Sequence, residues 1–216
     1  MNTVFFLDLD NTLIDHDRFK REIGRFVMSR HGAAGETAFW ELYERIRAET
    51  GIVDVIETAG RYGQACGAPE TGQEIARMLR EFPFGDLVFP RVHATLRRLG
   101  EIGRTAVVCD GHEEFQRWKL HVAGIDQLVG GRIHVFIHKE THALELAEHY
   151  PAARYVMIDD KPRIHAAMRH ALGARLTTVM VKQGHYATAA GPHPHIDHEI
   201  ATFAEILEHF APTPAP

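Results

Sequence analysis

Four short apolar runs in this 216-residue chain each end in groups that can do chemistry. The first ends in Asp8-Leu9-Asp10-Asn11-Thr12, the second in Cys109-Asp110-Gly111, the third in His138-Lys139 and the fourth in Asp159-Asp160-Lys161. Brought together, two acidic pairs repel one another and need compensation. A hard divalent cation with oxygen ligands supplies it, Mg2+ being the usual choice beside phosphate, and a lysine adds a fixed anion-binding charge. Taken singly, a strand-end acid is more often a solvated turn residue or a helix cap. The coincidence of four such ends favours a site.

The elements that must position these groups follow from periodicity. Thr3–Leu7, Thr105–Cys109, Ile133–Ile137, Tyr155–Ile158 and Leu176–Val181 are near-continuous apolar runs of strand length, as expected for strands buried on both faces. Helical patterns occupy His112–Val122, Glu140–His149 and Pro162–Ala171, and a last stripe is Phe203, Ile206, Leu207 and Phe210. Alternation of this kind predicts an α/β fold, a doubly wound, Rossmann-like parallel sheet whose ligands lie beyond the carboxyl ends of the strands.

The first strand breaks the rhythm. Phe19, Ile23, Phe26 and Val27 form one helical stripe, Phe39, Leu42, Tyr43 and Ile46 another, and Ile75, Met78, Leu79 and Phe82 a third. Phe82–Pro90, with two prolines and a glycine, reads as a connector, and a helix resumes over Pro90–Leu99. The expected organisation is a core of residues 1–15 and 87–216 carrying a helical cap of residues 16–86. The final APTPAP, residues 211–216, is expected to be a disordered tail.

VFFLDLDNT resembles the first motif of the haloacid dehalogenase superfamily, an apolar strand followed by Asp-x-Asp-x-Thr. AVVCDG resembles its second motif, Lys139 its third, and VMIDD its acidic fourth in double-aspartate form, all in order along the whole chain. The resemblance implies a Mg2+-dependent phosphomonoester hydrolase of a small phosphorylated metabolite. Asp8 would be the nucleophile that forms an aspartyl-phosphate. Asp10 would protonate the leaving alcohol and then activate water. The metal would be held by Asp8, the backbone carbonyl of Asp10, and Asp160, with Asp159 ligating or bracing; Asp160 is favoured because it aligns with the acid of the alternative Gly-Asp form. Lys139 would offset the charge of Asp8 and the phosphoryl oxygens. Thr12 reads as a local turn or cap hydroxyl.

The second motif usually offers a Thr or Ser hydroxyl to the phosphoryl group, and Cys109 stands there instead. A thiol is a weaker donor. Phosphate binding would then fall to Lys139 and the backbone amides of Asp110 and Gly111 beside Cys109. Taken alone, Cys109 reads as an inert buried thiol. The superfamily's namesake attacks carbon without an acid two residues on, so Asp10 argues for phosphoryl transfer. A phosphomutase or phosphotransferase needs the same motifs, and a weakly active binding or regulatory module is the reading from another class. The insertion is expected to act as a lid. Phe39, Trp40, Tyr43 and Tyr62, with Arg45, Arg47 and Arg61, are available to it for substrate contact or for its own interior.

Composition sets the remaining bounds. The chain has 24 Lys+Arg against 29 Asp+Glu, a formal charge of −5, which gives no support for nucleic acid or an anionic membrane as partner. At 45% hydrophobic and 25% charged residues it is an ordinary globular sequence, which excludes wholesale disorder. Two cysteines, Cys66 and Cys109, make no disulfide framework. The N-terminus has no signal-peptide pattern, so a cytoplasmic location is expected. Monomer and homodimer remain equally open. Of 16 histidines, His193, His195 and His198 have a spacing able to bind a transition metal, but their Pro/Gly surroundings read as a solvated loop. His138, beside Lys139, is the histidine nearest the expected site in sequence.

Overall fold

The computed structural model describes residues 2–52, 54–188 and 193–210. The tail at 211–216, and Gly191 and Pro192 of the histidine-rich loop, lie outside these. Six strands, β1 (Thr3–Leu7), β2 (Arg104–Asp110), β3 (Ile133–Phe136), β4 (Arg154–Asp159), β5 (Leu176–Val181) and β6 (His198–Ile200), form one sheet in the order β3-β2-β1-β4-β5-β6. Every pairing is parallel. The expected five strands are all present. The short β6 falls where a loop was expected, because three residues with two polar side chains carry no apolar run.

Strand alternation explains the double burial. Phe5 and Leu7 point into one apolar cluster, while Val4 and Phe6 point into another on the opposite face, each packed by helices. With β1 at the centre, its carboxyl end sits in the middle of the sheet edge, between those of β2 and β4. The order reverses there, the place where open α/β sheets leave a crevice.

Between β1 and β2 lie α1 (His16–Thr50), α2 (Val55–Ala65), α3 (Pro69–Arg80) and α4 (Val92–Ile102). Helix α1 starts where the Asp15 carboxylate accepts a hydrogen bond from Arg18 N at 2.7 Å. It is broken at Gly32, whose φ of 68° leaves the helical region. The two limbs fold back on each other: a Cβ at Gly24 would clash with Glu36 Oε1. In a straight helix those residues would be about 18 Å apart. The chain segments entering α1 and leading from α3 to α4 pair through Ile14 and Val88, with Asp15 N donating to Leu87 O at 2.8 Å.

The remaining helices are α5 (Glu113–Val122), α6 (Ala143–His149), α7 (Pro162–Leu172), α8 (His185–Thr188) and α9 (Ile206–Phe210). The helix expected over Glu140–His149 is instead a 3-10 turn at Lys139–His142 followed by α6. The difference has a cause: Lys139 N donates to Asp110 Oδ1 at 2.7 Å, which holds that turn against the end of β2. Among the described residues, no helix is long and apolar enough to cross a membrane.

Candidate active site

Asp8 directly follows β1 and is 2% exposed, its N–H still donating to Ile158 O of β4 at 2.9 Å. The chain then turns: Leu13 N and Ile14 N donate to Leu9 O at 2.9 and 3.1 Å, and Asn11 takes a φ of 64°, which asparagine tolerates. That turn returns Thr12 under Asp8, where its hydroxyl donates to Asp8 Oδ2 at 3.2 Å. Thr12 is thus more than the local turn or cap hydroxyl its position suggested, since it orients one oxygen of the expected nucleophile. The other oxygen, Oδ1, is bound by Lys139.

Lys139 is fully buried. Its Nζ also lies 2.6 Å from Asp159 Oδ2 and donates to Val108 O at 3.1 Å. Burial alone would discharge it, but Asp159 and Asp8 outweigh burial and hold its pKa above the ordinary lysine range. Asp159 is opposed by burial but pulled below the usual carboxylate range by Lys139, Lys161 and His165. Asp8 moves upward, because burial and the Asp159 charge exceed what Lys139 returns.

Asp160 is the anomaly. It is completely buried, and neither carboxylate oxygen has a hydrogen-bond partner. The Lys161 ammonium stands 3.6 Å from Oδ1. Burial, with Asp8 and Asp159 adding, pushes its pKa up to about 8. Asp8, Asp159 and Asp160 each offer an oxygen within 4.8 Å of the others. Gly184, after β5, closes over them: a Cβ there would lie 2.7 Å from Asp160 Oδ2 and 2.5 Å from Asn11 Cβ.

Asp10 faces elsewhere. Its carboxylate is bound by the fully buried Lys119, lies 3.4 Å from His16 Nδ1, and accepts from Gln116 Nε2 at 3.2 Å. Burial opposes its charge, but His16 and Lys119 carry the pKa well below the carboxylate range. Lys119 Nζ is walled by the rings of Phe19, Phe84 and Phe115, 6.0, 5.7 and 5.7 Å away. Any contact of Asp10 with a metal therefore falls to its backbone carbonyl, since the carboxylate is engaged away from the three-acid group.

One expectation at the second motif is corrected, that the Gly111 amide cradles phosphate. The Gly111 N–H donates to Phe136 O at 3.0 Å, within the sheet, so it is not available to cradle phosphate. The Asp110 carboxylate is tied to Lys139 N, so what it positions is the lysine's turn. Gly111, with φ at 140°, leaves room for Gln116, whose Nε2 would lie 2.9 Å from a Cβ there and which donates to Asp110 O at 2.7 Å. Cys109 is buried in the apolar cluster, and burial with the Asp8 charge pushes its thiol pKa up, leaving it neutral.

Lys119, Gln116 and His16 were not singled out from sequence. Gln116 and Lys119, three residues apart on α5, share a face turned to the strand ends; a lysine between Trp118 and Leu120 is the only local signal. His138 is 64% exposed and outside the site. His195 and His198 make separate contacts, to Thr178 and to the His209 ring, and among the described residues the three acids, not the histidines, are the group able to hold a metal.

Between these strand ends and the inner faces of α1 lies a cavity of about 280 Å³. Asp10, Asp110, Gln116 and Lys119 line it from the core, and Lys20, Trp40, Tyr43 and Arg47 from α1. Of the insertion's aromatic and arginine side chains, Trp40, Tyr43 and Arg47 reach it, whereas Phe39 and Tyr62 are packed against each other.

Comparison with known proteins agrees with this geometry. The family model described as haloacid dehalogenase-like hydrolase matches residues 3–173. A solved haloacid dehalogenase-like protein of Burkholderia xenovorans LB400 is 36% identical, covering 96% of this chain and 95% of its own, with a TM-score of 0.87. Two more distant structures share the fold. The HAD-hydrolase YfnB of Bacillus subtilis, bound to magnesium, is 14% identical over 98% of this chain and 99% of its own, with a TM-score of 0.65. The L-2-haloacid dehalogenase of Xanthobacter autotrophicus, with chloropropionic acid covalently bound, is 13% identical over 98% of this chain and 100% of its own, with a TM-score of 0.63. No curated protein sequence matches. With its family sequence pattern spanning most of the chain and a relative at 36% identity over nearly its full length, the chain belongs to the haloacid dehalogenase-like hydrolases.

Proposed function

We propose that this hydrolase is a Mg2+-dependent phosphomonoesterase acting through an aspartyl-phosphate on Asp8. The observation that carries the reading is Asp160, a buried carboxylate without a hydrogen-bond partner, facing two further buried acids. Such a group is costly unless protonated or neutralised by a cation. An all-oxygen set suits Mg2+, so Asp8, Asp159 and Asp160, with the Asp10 carbonyl, fit the ion as ligands. When bound, the ion supplies positive charge to Asp8 and to the phosphoryl oxygens.

The chain's own residues do the rest. Thr12 and Lys139 fix the two Asp8 oxygens, so one can attack phosphorus in line while the bond to the leaving oxygen breaks. Lys139 stays charged and offsets the phosphoryl oxygens. Asp10, ionised at rest, passes to the leaving alcohol a proton drawn from the Lys119 ammonium bound to it, then takes one from the water that hydrolyses the acyl phosphate and returns it to Lys119. Residues 16–86 serve as the lid over this site, Trp40 and Tyr43 excluding water from it. The substrate is a small phosphorylated metabolite.

Dehalogenation is the competing chemistry, since relatives in fold include a dehalogenase. Its nucleophile needs no proton donor two residues on, and here Asp10 is present with three partners. Phosphate release from 4-nitrophenyl phosphate should require Mg2+, stop in excess chelator, and fall at least about a thousandfold in Asp8→Asn. Chloride release from 2-chloropropionate without any phosphate release would overturn the reading.

A further inference from the structure

Asp10, Gln116 and Lys119 line the cavity from the core, Phe19, Ile23, Val55 and Phe115 give it an apolar band, and Lys20, Trp40 and Tyr43 line it from α1. Most charges lining it are already matched. Asp10 is bound by Lys119 and His16, Asp110 accepts from Lys139 N, and Glu44 lies 3.5 Å from Arg47. Lys161 faces Asp160, His112 lies 3.8 Å from Asp54, and His185 Nδ1 lies 2.7 Å from Asp17.

Lys20 differs. Its ammonium lies 5.0 Å from the centre of the Trp40 ring and 5.0 Å from that of Tyr43, and among the described residues no carboxylate lies within ion-pair distance. Ring faces stabilise a cation without neutralising it. They also fix its position, which a free lysine side chain lacks. An unneutralised cation lining a concavity concentrates anions there.

We propose that Lys20 forms an anion subsite for the alcohol half of the substrate, so that the enzyme takes phosphomonoesters whose alcohol carries a carboxylate or a second phosphoryl group. The orientation rests on the phosphomonoesterase reading above. With phosphorus at Asp8 and the leaving oxygen at Asp10, the carbon skeleton crosses the apolar band and its far end meets Lys20. A cavity of about 280 Å³ limits that skeleton to a small one.

Three aryl phosphates test this: phenyl phosphate, 4-carboxyphenyl phosphate and hydroquinone bisphosphate. In the wild type the anionic pair should exceed phenyl phosphate about tenfold in kcat/KM, mainly through KM. Preference for only one of them identifies the anion as carboxylate or phosphoryl. Lys20→Gln should bring the ratio close to one and Lys20→Arg should keep it. Equal ratios in wild type and Lys20→Gln overturn the proposal, as does no preference in the wild type. Binding to the wild type, read by calorimetry, needs neither turnover nor a variant: 4-hydroxybenzoate should bind about tenfold tighter than phenol, and equal affinity counts against the subsite. Should no phosphate ester be hydrolysed while 4-hydroxybenzoate keeps its advantage, the phosphomonoesterase reading falls and the subsite stands. Hydrolysis without anion preference gives the reverse.

Discussion

Asp8 and Asp10 are two residues apart, and each is bound by a fully buried lysine, yet their surroundings push them in opposite directions. Lys139 is divided between Asp8 and Asp159, and Lys161 reaches only Asp160 at 3.6 Å, so burial and the Asp159 charge prevail and Asp8 is raised. Lys119 serves Asp10 alone, with His16 and Gln116 in addition, and Asp10 is lowered. A buried lysine therefore does not by itself decide the state of its partner; the ratio of acids to cations around it does. The first region is short of positive charge and the second is not. Only the first has a use for a divalent ion.

Removing each lysine should expose that contrast. Lys139→Met leaves three buried acids with Lys161 at their margin, and breaking a buried pair in this way costs about 3–5 kcal/mol. Measured by urea unfolding in chelator, that loss should be partly recovered by Mg2+, by about 2.7 kcal/mol once the ion is a hundredfold above its Kd. Lys119→Met should cost less, about 1–3 kcal/mol, because Gln116 and His16 still serve Asp10. Mg2+ should then stabilise that variant no more than it stabilises the wild type. Equal Mg2+ recovery in both variants would show that the two regions are not distinct.

The two regions also differ in how far they could be read from sequence. Asp8, Lys139, Asp159 and Asp160 end apolar strands, and parallel strands bring their carboxyl ends to one edge, so their meeting follows from topology alone. Lys119 and Gln116 come from one face of α5, and which face turns to the site depends on packing that no local pattern encodes. Lys20 and Trp40 meet only because α1 folds back at Gly32. Two stripes were visible, 19–27 and 39–46, but not the contact between them. Gly111 shows the converse: its place beside the site suggests a phosphate-binding amide, but its N–H is spent on Phe136 O because the β2–β3 pairing runs on to that residue.

A smaller perturbation acts on the metal-seeking region alone. Gly184→Ala places a methyl where Asp160 Oδ2 and Asn11 Cβ already lie, an overpacking of about 1–3 kcal/mol. The carboxylate can yield by turning out of the three-acid group, so the thermal shift on adding Mg2+ should shrink relative to wild type. A full-sized shift would mean that Asp160 does not need this orientation to contribute.

The least expected effect is in the acid titration, where the sign separates Asp8 from Asp10. Asp10 is depressed below its ordinary 3.8, so its stabilisation is present above pH 3.8 and is lost as the pH falls below that value. Asp8 is raised, so its contribution is present below pH 3.8 and fades as the pH rises. In chelator, lowering the pH from about 5 to about 3 should therefore remove stability through Asp10 while relieving strain at Asp8. Lys119→Met takes away part of what lowers Asp10, so its unfolding free energy should fall less over that interval than the wild type's. An identical fall in both would place the acid sensitivity outside the Lys119–Asp10 pair.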